Sequence, residues 1–287
     1  MSGFRVSPPK VFPQATRAAK PPLDAAGSAD AYRQTTFVLG DDVELVLEGL
    51  RLEAAIAEAS SGAKFRKQVT ASAMALWSRS WLSRLDALHA VEWGNYTAAI
   101  TLVRAAADYQ AAMLYLLRTG AAEWDEWLDA GGIQLAPADH ATEFRLHAFR
   151  AAEVLAAHDV LGPIYRTSTD LSLSHFGSTL LFAGAESDPA RIAVTFGDRD
   201  FHVGLAEVHL GWLLQLGSAV LTDTAEFPVA FAAPEGEATT AWIERAERAC
   251  GRRDRCRVET VDRDGMKRYL VHNWRREPRS AAKKLLL

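Results

Sequence analysis

The segment from Asn95 to Arg118, NYTAAITLVRAAADYQAAMLYLLR, limits the fold more than any other. Asn95 is a good helix N-cap residue, Gly120 stands where a C-cap belongs, and neither Gly nor Pro interrupts the run. At about 100° per residue, Thr97, Thr101, Arg104, Asp108 and Tyr115 fall on one stripe, and almost everything else is Ala, Leu, Ile, Val or Met. A helix apolar nearly all round belongs in the middle of a bundle. Arg104 and Asp108, spaced i,i+4, are placed to face each other there. Two readings follow: a buried structural ion pair, or an anion-binding or catalytic Arg steadied by Asp108.

The flanking sequence supplies neighbours for that helix. A first helix is expected from Asp41 or Asp42 to about Ala59, with Val43, Val46, Leu47, Leu50 and Ala54 as its apolar stripe. A second, from about Lys64 to Trp93, places Trp77, Trp81, Leu85 and Leu88 at helical spacing, and such aromatics belong to the core. The very short turn at Gly94 favours an antiparallel pair. A short segment with Trp124 and Trp127, a helix from Pro137 to Leu161, a short helix from Phe176 to Ala183 and a last helix from Asp200 to about Thr222 complete the series. The Ser/Thr-rich passage after Pro163 suits caps and turns, and residues 191–196 read as extended.

The fold class expected is therefore all-α: a bundle of about six helices over residues 36–222, with a small basic α-β-β module at 240–279. Residues 1–35, with Pro8, Pro9, Pro13, Pro21 and Pro22, read as a disordered or loosely docked arm. Residues 223–239 read as a linker and 280–287 as a tail. In the module, Asp264-Gly265 between two runs of strand formers is a hairpin signal.

Charge divides the chain the same way. The overall net charge is −4, yet from Arg245 onward it is +8, leaving −12 on the rest. Arg252, Arg253, Arg255, Arg257, Lys267, Arg268, Arg275 and Arg276 are placed to contact phosphates, with Tyr269 or Trp274 to stack on a base. The opposing expectation is that this basic hairpin docks on its own acidic bundle. Cys250 and Cys256 are too few for a disulfide framework, and the first residues lack an apolar signal region. The most apolar window, Val203 to Leu221, carries Glu207, His209 and Gln215, which suits a buried helix better than a membrane span. A cytoplasmic protein without a membrane partner is expected.

Few motifs carry chemistry. His175 lies in LSLSHFGS, among partners able to fix its tautomer, with Tyr165 and Ser174 as its nearest companions in function. His140, Glu143, His147 and His158 share a helix face, but no second Glu-x-x-His completes a metal bundle. Cys250, Cys256 and His272 give only three zinc ligands at an unfamiliar spacing. Neither a Gly-rich phosphate loop nor a nucleophile elbow nor a dinucleotide fingerprint is present, so no cofactor or metal is expected.

The sequence LVRAAADYQAAMLYL, followed by Tyr165 and then LSLSHFGS, resembles a group of uncharacterised bacterial helical proteins with an Arg-x-x-x-Glu helix and a later Tyr…Leu-Ser…His segment. Some of these are compared with HEPN-type and abortive-infection proteins. The resemblance covers residues 40–222 and implies an all-α bundle and a role in bacterial defence or stress. Asp108 stands where that group has Glu. HEPN ribonucleases carry an Arg-x4–6-His step that works across a dimer interface; here only Arg84 to His89 fits, and i,i+5 turns the two side chains about 140° apart. The function expected is a binding or interaction protein. The alternative is a HEPN-like nuclease using Arg104, Asp108 and His175, with Arg252, Arg253, Arg255, Lys267 and Arg268 as its grip on nucleic acid and a second copy of the chain as a partner.

Overall fold

The turn at Gly94 sets the first helix pair. Its φ of +67° is left-handed, and a Cβ there would lie 2.1 Å from the Arg199 carbonyl, so only glycine fits. Asn95 then caps the next helix, its Oδ1 accepting from the Ala98 N–H at 3.4 Å. The computed structural model describes residues 7, 9–61, 68–119, 151–174, 176–184, 187, 190–232 and 236–287. The expected Trp124–Trp127 segment, most of the helix from Pro137, and His140, Glu143, His147 and His175 lie outside them.

Eight helices occur among the described residues: α1 (Ala26–Ser60), α2 (Gln68–Glu92), α3 (Tyr96–Thr119), α4 (Ala152–Ala157), α5 (Leu161–Ser172), α6 (Phe176–Ala183), α7 (Val203–Ala225) and α8 (Gly236–Cys250). Strands β1 (Arg257–Arg263), β2 (Met266–Trp274) and β3 (Lys283–Leu286) follow as one antiparallel sheet in that order. The chain is mostly helical with a small sheet at its C-terminal end. As its sequence demands, α3 is central, packing against α2, α4, α5 and α7. The other central helix is α7, buried from Val203 to Leu214 without a break. It is long and apolar enough to cross a membrane, but 89% of its most apolar window is buried in the fold.

Three elements differ from the expected ones. Helix α1 begins at Ala26, bending at Leu39 (φ −125°), because Ala31, Thr35 and Leu39 bury a narrow stripe of small contacts. The Ser/Thr-rich passage is helix α5. Leu161, Ile164, Ser168 and Leu171 recur at i, i+3, i+7 and i+10 and are all buried, while Ser168 turns its hydroxyl back to the Ile164 carbonyl at 2.6 Å. Pro163 sits in the first turn, where no helical N–H is needed. The C-terminal tail is strand β3, with Leu285 opposite Val271 and Leu286 opposite Leu270.

The hairpin forms as the Asp-Gly pair requires, with φ of 57° at Asp264 and 76° at Gly265. A bulge between Val271 and Trp274 puts Asn273 at φ 54°, its side chain donating to the Arg253 and Arg255 carbonyls. That extra residue brings Trp274 to the buried side along with Val271. The module is joined to the bundle through Trp242 of α8, 1% exposed, whose indole N–H donates to the Leu45 carbonyl at 2.8 Å.

A Cβ on Gly49 would sit 2.3 Å from the Trp242 ring. Gly49→Ala is therefore expected to lower stability by about 1–3 kcal/mol, and denaturant unfolding monitored by tryptophan fluorescence measures the change.

Candidate functional site

Arg104 and Asp108 do not form the sealed ion pair expected of them. Both are half-buried, at the seam where α3 meets α5. The Arg104 guanidinium lies over the Tyr165 ring at 5.2 Å, donating to Thr169 Oγ1 at 3.0 Å and Tyr165 Oη at 3.3 Å. Asp108 has no cation within ion-pair distance among the described residues; burial raises its pKa, opposed by the fields of Arg104 and Arg79. The physical reason is reach. Arg104 finds hydroxyl partners on a neighbouring helix, and Asp108 stays too far away to compete. Tyr165, expected beside His175, is the residue that meets Arg104; Ser174 is exposed beyond α5, and His175 lies outside the described residues.

The sealed pair of the bundle is Arg84 with Glu53. Arg84 is 1% exposed and Glu53 0%. The guanidinium donates two parallel bonds to the carboxylate at 2.6 and 2.5 Å, and the Trp77 indole N–H adds a third at 2.9 Å. The signal was present in the sequence. Glu53 continues the stripe Val46, Leu50, Ala57 and Arg84 continues Trp77, Trp81, Leu88, so each is a charge on an apolar face. Arg84 is consequently committed to Glu53, while His89 meets the Thr16 carbonyl at 2.7 Å; the Arg-x4-His step brings together no site.

Beside this pair, between α1 and α2, lies a recess of about 330 Å³. Ala54, Ala57, Met74, Trp77, Trp81 and Leu82 give it an apolar wall, and residues 9–12 of the N-terminal arm form its outer side. The arm is extended and pinned further along. Glu92 holds it twice, through the Arg17 guanidinium at 2.6 Å and the Ala18 N–H at 2.8 Å, and Trp93 donates to the Ala19 carbonyl at 2.9 Å.

A second ionic network joins module to bundle. Arg255, 2% exposed, donates to Asp42 at 2.6 Å and to the Glu207 carbonyl at 2.9 and 3.1 Å. Arg252 adds a bond to Asp42 at 3.0 Å, and Arg275 reaches the Glu207 carboxylate at 3.0 Å. Arg276 pairs with Asp198 at 3.1 Å. Four of the eight cations assigned to phosphate are therefore spent on the bundle's own acids; Arg253, Arg257, Lys267 and Arg268 remain exposed. The aromatic stackers are committed as well. Tyr269 donates to Asp170, and Trp274 is 3% exposed against the His202 ring.

Three histidines have structural duties. His202 caps α7, its Nδ1 accepting from the Leu205 N–H at 3.2 Å, while carbonyls of Arg276 and Arg275 take the next two orphan N–H groups, those of Val203 and Gly204. His209 donates Nδ1–H to the Leu205 carbonyl at 2.7 Å. Burial pushes both rings down to about 4, with Arg276 adding to the effect at His202. His158 accepts from the Val160 and Leu161 N–H groups at Nδ1, so its proton sits on Nε2 facing Asp223 at 3.3 Å. With both nitrogens occupied it is a cap for α5 rather than a base.

Among the described residues no group of three or more His, Cys, Asp or Glu side chains is arranged to hold a metal. Burial raises the pKa of Cys250 and pushes Cys256 up to about 12, so neither is a thiolate. Compared with known protein families, with curated proteins and with solved structures, the chain matches none.

Removing one partner of the sealed pair strands a buried charge. Arg84→Met is expected to cost about 3–5 kcal/mol in urea unfolding, and adding Glu53→Leu to recover most of it; Arg104→Met, which loses two bonds from a half-buried guanidinium to uncharged hydroxyls and strands no charge, should cost only about 1–2 kcal/mol. The histidines give a pH dependence. Their folded values lie below the ordinary 6.5, so the unfolded chain takes up more protons between pH 6.5 and 4. Stability is full above that window and falls as pH drops, by on the order of 2 kcal/mol per ring at pH 5. Thermal melts from pH 7 to pH 5 should show it, with a shallower slope for His209→Phe.

Proposed function

We propose that this chain is a binding protein that takes an apolar ligand between α1 and α2. The observation that carries this reading is the 330 Å³ recess, within the roughly 300–1,000 Å³ range of small-molecule sites and walled by alanines, Met74, Trp77 and Trp81. Such walls reward apolar surface and give no reacting group. The charge at its buried end, Glu53, is neutralised by Arg84, which holds the floor rigid. The alternative, a nuclease, draws less support, because Arg104 holds Thr169 and Tyr165, and Arg252, Arg255, Arg275 and Arg276 of the C-terminal module are paired within the chain.

Nile red, an uncharged apolar dye, serves as probe. Saturable binding of one dye per chain is expected, with quenching or energy transfer from Trp77 and Trp81. Ala71 lines the recess and is only half-buried, so Ala71→Trp fills the space without disturbing the core. That variant should bind the dye about tenfold more weakly with an unchanged circular-dichroism spectrum. Equal binding by the variant would remove the recess as the seat.

A further inference from the structure

The charges around the recess are unevenly satisfied. Glu53 and Lys10 are the two charged residues among those lining it. Glu53 lies at the buried end and is fully engaged by Arg84 and Trp77. Lys10 is exposed, on the arm, and no carboxylate of the described residues lies within ion-pair distance of its ammonium. With Glu53 neutralised by Arg84, Lys10 is the uncompensated charge at the recess, so a ligand anion is drawn to the mouth rather than to the floor.

The arm itself is held unequally. Residues 15–19 are fastened by hydrogen bonds from Arg51, His89 and Trp93 and by Arg17 and Ala18 to Glu92. Among the described residues, 9–12, which cover the recess, make no hydrogen bond to the bundle, and of their apolar side chains Val11 packs against the core while Phe12 stands 76% exposed. Pro9 and Pro13 stiffen this stretch from both sides. The cover is therefore a stiff flap hinged on a fixed anchor, with a cation on the flap.

We infer that the ligand is a single-chain amphiphile with an anionic head, its chain lying on Ala54, Ala57, Met74 and Trp81 and its head meeting Lys10 at the mouth. This rests on the recess being the binding seat. A recess of about 330 Å³ has room for an alkyl chain of medium length. Closing the flap brings Val11 onto the chain and Lys10 onto the head in one movement.

Decanoate, decanol and decyltrimethylammonium carry the same chain with an anionic, a neutral and a cationic head. Titrated into the full-length protein at pH 8 by calorimetry, decanoate is expected to bind about fivefold more tightly than decanol, the strength of an exposed ion pair, and the cation more weakly than either. Lys10→Gln should erase the preference and leave decanol unchanged; Ala71→Trp should weaken all three. If the three bind alike, or the preference survives in Lys10→Gln, the anionic amphiphile is wrong while the recess stands. If none binds, or Ala71→Trp binds them all as before, the recess itself is not the seat.

Discussion

Two buried carboxylates, Asp42 on α1 and Glu207 on α7, govern how the chain is put together. Both lie buried against the C-terminal module, where a carboxylate left without a cation would cost several kcal/mol. Arg255, Arg252 and Arg275 arrive from the connection after α8 and from the end of β2 to neutralise them, and the Cys256 N–H adds a bond to Glu207 at 2.8 Å. Burial still raises the Glu207 pKa against these partners, which shows how deep the site lies. The +8 region thus supplies the counter-ions for the buried acids of the −12 region, and bundle and module complete each other.

That seam also accounts for the first turn of α7. Its orphan N–H groups would be costly if left bare in the middle of the molecule. The chain leaving β2 supplies two carbonyls and His202 supplies a ring nitrogen, so the helix most like a membrane span is capped entirely by protein. Small residues make the approach close enough: a Cβ added to Gly204 would lie 3.1 Å from the Arg275 carbonyl oxygen, and one added to Gly211 would lie 3.3 Å from Arg255 Nε.

The recess between α1 and α2 is left mostly apolar. Glu53 and Arg84 close on each other, and the alanines of α1 and α2 that line the groove beside them are too small to fill it. The N-terminal arm covers this groove as a strap. Reactive groups are otherwise bound to structural tasks: His158 caps α5, His209 braces α7, and both thiols stay protonated.

Periodicity in the sequence determined the local elements. The α2–α3 hairpin at Gly94, the centrality of α3, the burial of α7 and the Asp264-Gly265 turn were legible because each depends on neighbours a few residues apart. Helix α5 was hidden, since hydroxyl residues favour turns until a tertiary face at Leu161, Ile164 and Leu171 overrides them. The polar centre was hidden for a different reason. Arg104 and Asp108 are close in sequence and therefore conspicuous, whereas Arg84 and Glu53 are 31 residues apart and Arg255 and Asp42 are 213 apart. A buried charge takes whichever opposite charge the packing delivers, and only the tertiary structure decides which one that is.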